Sequence, residues 1–318
     1  MGPFLPFLLF ALAVGASHAP SPAEVYWHKV LPNTPMPSAI TDLLHHDVVA
    51  DEKLDRRVNV NGKDTSVSVG YKGKPVVVNV KPYYSGPFLY NYAATQSQIQ
   101  DPSVTLFFLE KDLHPGAKMT LHFIRTTTGA TLLPRRAADS IPFSSAKLPE
   151  ILSRLSIAPN SMEAEVMKKT LHECEEPAIG GETKYCATSV ESMVDFSTSS
   201  LGTRDVRALS TAVDREGTPK QVYSISKVQK QPSSEVVVCH GENYAYAVFY
   251  CHTMNAEAYK VSMVGKDGTK VEAVAACHTD TTGFNPDHVA FKVLNVKPGT
   301  VPVCHFLPQS DIVWTPNK

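Results

Sequence analysis

Four of the six cysteines in this chain are followed directly by a histidine. The dipeptides are Cys239-His240, Cys251-His252, Cys277-His278 and Cys304-His305. Random placement of 6 cysteines and 12 histidines among 318 residues would give roughly 0.2 such dipeptides, so the repetition constrains the fold. Each dipeptide also closes an apolar run of β-forming residues. The pattern predicts four strands that each carry one Cys-His dipeptide.

Neighbouring side chains of a strand point to opposite faces, so each cysteine and its histidine are expected on opposite sides of the sheet. The cysteines can then pair with one another, while the histidines converge as imidazole ligands. The candidate ligands are His240, His252, His278 and His305. A site of nitrogen ligands alone favours copper or zinc. Two alternatives stay open: histidines that simply lie where strands meet solvent, and a zinc site with mixed Cys and His ligands.

The remaining two cysteines, Cys174 and Cys186, lie upstream of the dipeptides and would form a third bridge. Six cysteines allow fifteen pairings, so the connectivity stays open. Disulfides are expected only if the chain enters an oxidising compartment.

The N-terminus indicates such a compartment. Residues Phe4 to Val14 form an apolar block of eleven residues, followed by small residues, as in a secretory signal peptide. Cleavage after Ala16 fits best, which makes residues 1–16 the signal peptide. No Lys or Arg precedes the block, and an apolar helix of a cytosolic protein is the alternative.

Charge and hydropathy exclude two classes of partner. The 30 basic and 31 acidic residues nearly cancel, so the chain lacks the positive charge of a nucleic-acid or anionic-membrane binder. No apolar run approaches the length of about 18 residues that spans a bilayer. The mature protein is therefore expected to bind no nucleic acid and to lie outside the membrane.

The chain divides into an arm and a domain. Residues 17–104 are rich in Pro, Val, Gly and Tyr and are predicted to form a loosely ordered arm. Residues 105–318 are predicted to form an α+β domain whose strands lie mostly towards the C-terminus. Three helices are expected in this domain. The first covers residues 149–155, the second begins at a capping pair of Asn160 and Glu163, and a short third lies around 190–194.

The spacing of the dipeptides resembles the BURP domain of plant proteins. Ten, twenty-four and twenty-five residues separate the successive Cys-His pairs. Phe107-Phe108, the Cys174 and Cys186 pair and the ending Asp311-Ile312-Val313-Trp314 also match. The resemblance covers about residues 105 to 318. Upstream, Tyr26-Trp27 and the segment 31–37 resemble the dehydration-responsive subgroup of that family.

The resemblance implies a secreted protein of the apoplast or cell wall with a structural or interaction role in dehydration or salt stress. Wall polysaccharide or a wall protein would be its partner. The four Cys-His histidines are associated with copper in family members that act as peptide cyclases, which implies a copper-competent cluster here. The alternative function is therefore a copper-dependent autocatalytic cyclase that crosslinks a tyrosine of its own arm. The candidate substrates are Tyr83, Tyr84, Tyr90 and Tyr92. The arm lacks tandem copies of a core peptide, so the enzyme question stays open.

Other polar residues give weaker signals. His114, His122 and His288 stand singly and are expected to be ordinary histidines. Asp280 and Asp287 follow the third dipeptide and are expected to solvate a loop rather than to orient a ligand ring.

Overall fold

The computed structural model describes residues 19–46, 66–68, 77–79, 103–125, 130–178 and 182–318. The predicted signal peptide and the tyrosines Tyr83, Tyr84, Tyr90 and Tyr92 lie outside the described residues. The two short arm segments are antiparallel strands, β1 (Ser66–Ser68) and β2 (Val77–Asn79). Within the described residues, no helix is both long and apolar enough to cross a bilayer.

The larger sheet of the domain has seven strands. They are β3 (Phe107–Leu109), β4 (Lys118–Leu121), β7 (Ala212–Val213), β8 (Gln221–Lys230), β11 (Glu257–Gly265), β12 (Lys270–His278) and β13 (Val303–Phe306). Six of them run in the order β3-β13-β12-β11-β8-β4, and β7 pairs with β12. The Thr105 N–H donates to the Thr120 carbonyl at 2.8 Å, so the two edges of the sheet approach each other. The sheet thereby curls around its own apolar core.

The smaller sheet has five antiparallel strands. They are β5 (Lys184–Ala187), β6 (Val206–Leu209), β9 (Glu235–Glu242), β10 (Val248–Asn255) and β14 (Ile312–Pro316), in the order β5-β10-β9-β14-β6. The inner face of this sheet packs against the larger sheet through Val236, Val238 and Val313, which meet Val274 and Leu307. Because β9 is covered on both faces, nearly all of its residues are buried.

Seven helices are described. They are α1 (Pro22–Val30), α2 (Ser38–His46), α3 (Arg135–Ala138), α4 (Leu148–Leu155), α5 (Met162–Glu175), α6 (Val190–Ser200) and α7 (Val289–Leu294), with 3-10 turns at Glu110–Asp112 and Ser145–Lys147. The predicted α+β class is confirmed, as are the helices predicted at 149–155 and 190–194. The predicted capping pair of Asn160 and Glu163 is wrong by one residue: the Ser161 hydroxyl accepts from the Ala164 N–H at 3.1 Å and begins α5.

Part of the predicted arm belongs to the packed domain. Helices α1 and α2 lie on the outer face of the five-stranded sheet, together with α6. Trp27 is fully buried, and its ring centroid lies 5.3 Å from that of Trp314. Ile40 and Leu43 of α2 are also buried in this core. Residues 19–46 therefore differ from the loosely ordered chain expected for the arm as a whole.

Three disulfides connect the six cysteines: Cys174–Cys186, Cys239–Cys251 and Cys277–Cys304. The structure thus selects one of the fifteen pairings and confirms the third bridge. Cys239 lies directly opposite Cys251 in the register of β9 and β10, and Cys277 lies opposite Cys304 in β12 and β13. Each of these two bridges therefore joins adjacent strands of one sheet.

Two bridges enclose loops of equal length, which permits a matched test of burial. The Cys239–Cys251 and Cys174–Cys186 bridges both join residues separated by 12 positions, and loop closure predicts about 3 kcal/mol of stabilisation for each. The double variant Cys239→Ala/Cys251→Ala should lose more stability than Cys174→Ala/Cys186→Ala. The sulfur atoms of Cys239 and Cys251 are fully buried, so their removal leaves a cavity. Urea denaturation of both double variants measures the difference. Unchanged stability, or a greater loss for Cys174→Ala/Cys186→Ala, would contradict this account.

Candidate metal centre

The four Cys-His histidines lie on the inner faces of the two sheets. Cys239 and Cys251 point into the outer core of the five-stranded sheet, and strand alternation turns His240 and His252 to the opposite face. Cys277 and Cys304 point into the core of the seven-stranded sheet in the same way. The prediction that each cysteine and its histidine occupy opposite faces is confirmed.

The strand register places the histidines in two equivalent pairs. His240 lies opposite Tyr250 and His252 lies opposite Val238, so the two imidazoles are diagonal neighbours on one face. Their Nε2 atoms are 3.4 Å apart and their ring centroids 5.5 Å apart. His278 and His305 repeat this arrangement in the other sheet, with the same Nε2 separation of 3.4 Å and stacked rings. All four side chains are buried.

Asp311 orients the first pair. Its Oδ2 lies 2.7 Å from Nδ1 of His240, and its Oδ1 accepts the Gly241 N–H at 3.3 Å. A carboxylate only accepts hydrogen bonds, so Nδ1 of His240 carries the proton and Nε2 presents a lone pair to His252. Nδ1 of His252 lies 3.5 Å from a carboxylate oxygen of Glu182. These outer contacts are the kind that orient histidine ligands in metal sites.

The second pair has a backbone partner and an aromatic surrounding. Nδ1 of His305 lies 3.3 Å from the Phe306 carbonyl oxygen, which can only accept, so Nε2 of His305 also presents a lone pair. The His278 ring packs edge to face against Phe284 at 5.1 Å, and Phe107 packs against His305 at 6.3 Å. This apolar wall keeps water away from the pair.

Burial holds the second pair in the neutral state. Desolvation lowers the pKa of His278 to about 4, with a smaller contribution from the charge of His252. Desolvation also lowers the pKa of His305 to about 3, with a contribution from His278. Both rings are therefore uncharged at neutral pH, which is the form of histidine that binds metals.

Carboxyl groups surround the first pair. Burial raises the pKa of the Glu242 carboxyl well above its usual range, and the negative charges of Glu173 and Asp311 raise it further. Burial also raises the pKa of Tyr250 to about 12, with smaller contributions from Glu182 and Glu173. The Tyr250 ring centroid lies 5.6 Å from that of His252. The negative charges of Asp311, Glu182 and Glu173 favour a cation on this side of the site.

The two pairs interact without forming a single four-ligand cluster. The charge of His240 contributes to lowering the pKa of both His278 and His305, so the pairs are close enough for electrostatic coupling. Among the described residues, however, no group of three or more His, Cys, Asp or Glu side chains is arranged to hold one metal ion. The predicted convergence of all four histidines on one site is not seen among the described residues, where they approach one another two by two.

The spacing within each pair fits two ligands of one metal ion. Two imidazole nitrogens that bind a metal at about 2.0–2.1 Å with a tetrahedral angle lie about 3.4 Å apart. The Nε2 separations of both pairs have this value. The alternative is a direct hydrogen bond between the rings, which at 3.4 Å is long. Each pair therefore offers two nitrogen donors at the spacing of two ligands of a copper or zinc ion.

Comparison with known proteins assigns the family. The sequence model of the BURP domain matches residues 106–316. This chain belongs to the BURP-domain family. The match begins at the first strand of the seven-stranded sheet and ends in β14, so it includes both histidine pairs.

Plant BURP-domain proteins align with most of the chain. It is 47% identical to BURP domain-containing protein 5 of Oryza sativa subsp. japonica over 306 residues, which cover 95% of this chain and 89% of that protein. It is 41% identical to the BURP domain protein RD22 of Arabidopsis thaliana over 381 aligned residues, covering 96% and 97%. BURP domain-containing protein 3 of Oryza sativa subsp. japonica is 60% identical over 250 residues, which cover 77% of this chain but only 57% of that protein.

The sequence alone did not indicate that Asp311 contacts His240 in this BURP domain. In the sequence, Asp311 stands out only as part of the C-terminal ending that resembles the family. It reaches His240 because Ile312 pairs with Cys239 in the β14–β9 register, a contact across 71 residues of sequence. Asp280 and Asp287, by contrast, have the expected loop roles: Asp280 accepts from Thr282, and Asp287 pairs with Lys292.

One histidine set aside as ordinary lies beside the second pair. The charge of His288 contributes to lowering the pKa of both His278 and His305. Its Nδ1 accepts the Ala290 N–H at 3.2 Å and caps α7. His288 therefore has a structural role next to the site, which a single histidine in the sequence could not indicate.

The buried pair makes stability depend on pH. Unfolded histidines titrate near pH 6.5, whereas His278 and His305 titrate near 4 and 3 in the folded chain. Between these values the unfolded chain binds more protons, so acid favours unfolding. In metal-free protein, each histidine should cost on the order of 2 kcal/mol of stability between about pH 7 and about pH 5. Chemical denaturation at the two pH values measures the loss.

The matched variant is His278→Gln/His305→Gln, which should lose much less stability over the same range. His172→Gln, an exposed substitution on α5, should behave like the natural chain. The same pH slope in all three proteins would contradict the assigned protonation states.

Proposed function

We propose that this chain is a secreted plant protein of the apoplast or cell wall that binds copper through His240, His252, His278 and His305. Its role is structural or interactive: the disulfide-bridged domain contacts wall polysaccharide or a wall protein during dehydration or salt stress. The stress role rests on the resemblance of residues 26–27 and 31–37 to the dehydration-responsive subgroup. The disulfides and the apolar N-terminal block support secretion.

One observation carries the copper proposal. In each pair, an Nδ1 hydrogen bond leaves an Nε2 lone pair directed at the neighbouring imidazole, 3.4 Å away. Two facing ring nitrogens at this distance need a shared proton or a metal ion between them. Neutral imidazoles, an orienting carboxylate and an aromatic wall are the surroundings that stabilise such a ligand set.

Copper, when bound, supplies one-electron redox chemistry. In the structural role this chemistry is not used, and a metal ion held by a pair connects the two adjacent strands that carry its histidines. The residues of the chain hold the ligands in place: Asp311 fixes the His240 tautomer, and Phe284 and Phe107 exclude water from the second pair.

Copper titration of the secreted full-length protein tests the proposal. We expect copper bound by nitrogen ligands in the electron paramagnetic resonance spectrum, with at most one ion per histidine pair. His240→Ala, His252→Ala, His278→Ala and His305→Ala should each weaken binding. Asp311→Asn keeps all four ligands and should weaken binding by about 10–100-fold. The exposed His172→Ala is the matched control and should bind as the natural chain does. Full stoichiometry in all four alanine variants would refute the proposal, and a preference for zinc would correct the metal.

Mass spectrometry of the copper-loaded protein in air separates the structural role from the cyclase alternative. Bond formation between a tyrosine and a second residue removes one hydrogen from each, while dioxygen is reduced to hydrogen peroxide. The structural proposal predicts no mass change. A copper-dependent loss of two hydrogens in the peptide with Tyr83, Tyr84, Tyr90 and Tyr92, abolished by His252→Ala, would instead assign the enzyme.

A further inference from the structure

We propose that residues 19–46, here called the N-terminal segment, are a built-in ligand of the five-stranded sheet. Noncovalent contacts hold the segment on the outer face of the sheet, so it stays bound when the connecting residues 47–102 are cut. This proposal is independent of copper. It concerns residues outside the region 106–316 that matches the BURP domain.

The segment inserts apolar side chains into the core of the domain. Trp27 and Ile40 have no exposed surface, and Leu31, between the two helices, is equally buried. Trp27 packs against Trp314 of β14 with 5.3 Å between ring centroids. The Trp27 Nε1–H donates to the Thr34 carbonyl at 2.8 Å, which fixes the loop between α1 and α2. These side chains have the character of anchor residues in a protein–protein interface.

Polar contacts fix the position of the segment on the sheet. The Thr34 hydroxyl donates to the Val206 carbonyl at 2.7 Å, on the edge strand β6. Ser210, just after β6, accepts the Ala39 N–H at 3.2 Å. Arg125 and Asp42 form a salt bridge at 2.6 Å. These contacts surround the apolar centre, as the polar rim of an interface does.

A second set of polar contacts connects α1 to α6. The Tyr26 hydroxyl donates to Asp195, and the Arg135 guanidinium lies 5.2 Å from the centre of the Tyr26 ring. Arg135 also donates to Asp195 at 2.6 Å. Tyr26, Arg135 and Asp195 therefore connect the segment to helices α3 and α6 of the domain.

The segment covers a surface that the domain itself leaves apolar. Helix α6 covers part of the outer face, and the segment covers the part that carries Trp314 and Val206. The Cys239–Cys251 bridge lies in the same core. An uncovered apolar face of this kind is a site of association or aggregation. Together with α6, the segment thus supplies the helical layer over the core that contains the bridge.

Cleavage of the connecting residues tests the proposal without any substitution in the core. A protease recognition sequence is inserted between Gly62 and Lys63 of the full chain, and complete cleavage is verified on a denaturing gel. We expect the cut protein to elute in native size-exclusion chromatography as one complex with the mass of a single chain. Separation of the segment from the domain would overturn the proposal. A complex of two domains would also overturn it, because the ligand would then come from a second copy.

A matched pair of variants on α1 tests the anchor. After cleavage, Trp27→Ala should weaken retention of the segment by more than about tenfold, whereas Val25→Ala, an exposed position on the same helix, should leave it unchanged. In the uncut chain, Trp27→Ala should accelerate reduction of the Cys239–Cys251 bridge by a mild thiol, with the partly exposed Cys174–Cys186 bridge unaffected. Equal retention and equal reduction rates for both variants would contradict the assigned role of Trp27.

Discussion

The pairing of cysteines across adjacent strands is the constraint on which the site depends. Cys239 and Cys251 are opposite each other in register, and so are Cys277 and Cys304. A bridge between opposed residues prevents the strands from slipping by one position, which would turn every side chain to the other face. Because each histidine follows its cysteine, the fixed register places all four imidazoles on the inner faces of the sheets.

Burying four histidines between two sheets is acceptable only when they are neutral and their nitrogens have partners. The two pairs differ in the groups that lie next to their outer ring nitrogens. The first pair uses carboxylates, with Asp311 on His240 and Glu182 near His252. The second pair uses a backbone carbonyl and an aromatic wall, and its pKa values fall accordingly. The first pair therefore has polar surroundings and the second has apolar surroundings. The two pairs interact electrostatically across the sandwich.

The N-terminal segment shows why local sequence patterns underestimate packed structure. Helices α1 and α2 have nine residues each, and helices of this length are marginal alone in water. A reading of the Pro-rich arm by itself therefore predicts loose order. What stabilises the helices is the contact of Trp27 with Trp314, two residues at opposite ends of the chain that come together on one sheet.

Local backbone geometry explains what the sequence by itself determined. Alternation along a strand separates Cys239 from His240 wherever that strand lies, and apolar runs closed by Cys-His predicted the strands of both histidine pairs. Helical spacing located α4 and α6, and the resemblance to the BURP domain indicated the family. Only the tertiary structure decided which cysteines pair, that the histidines meet two by two, that Asp311 contacts His240, and that Trp27 completes the core. Each of these depends on the register and stacking of strands distant in sequence, and such long-range pairing leaves no periodic signal in the chain.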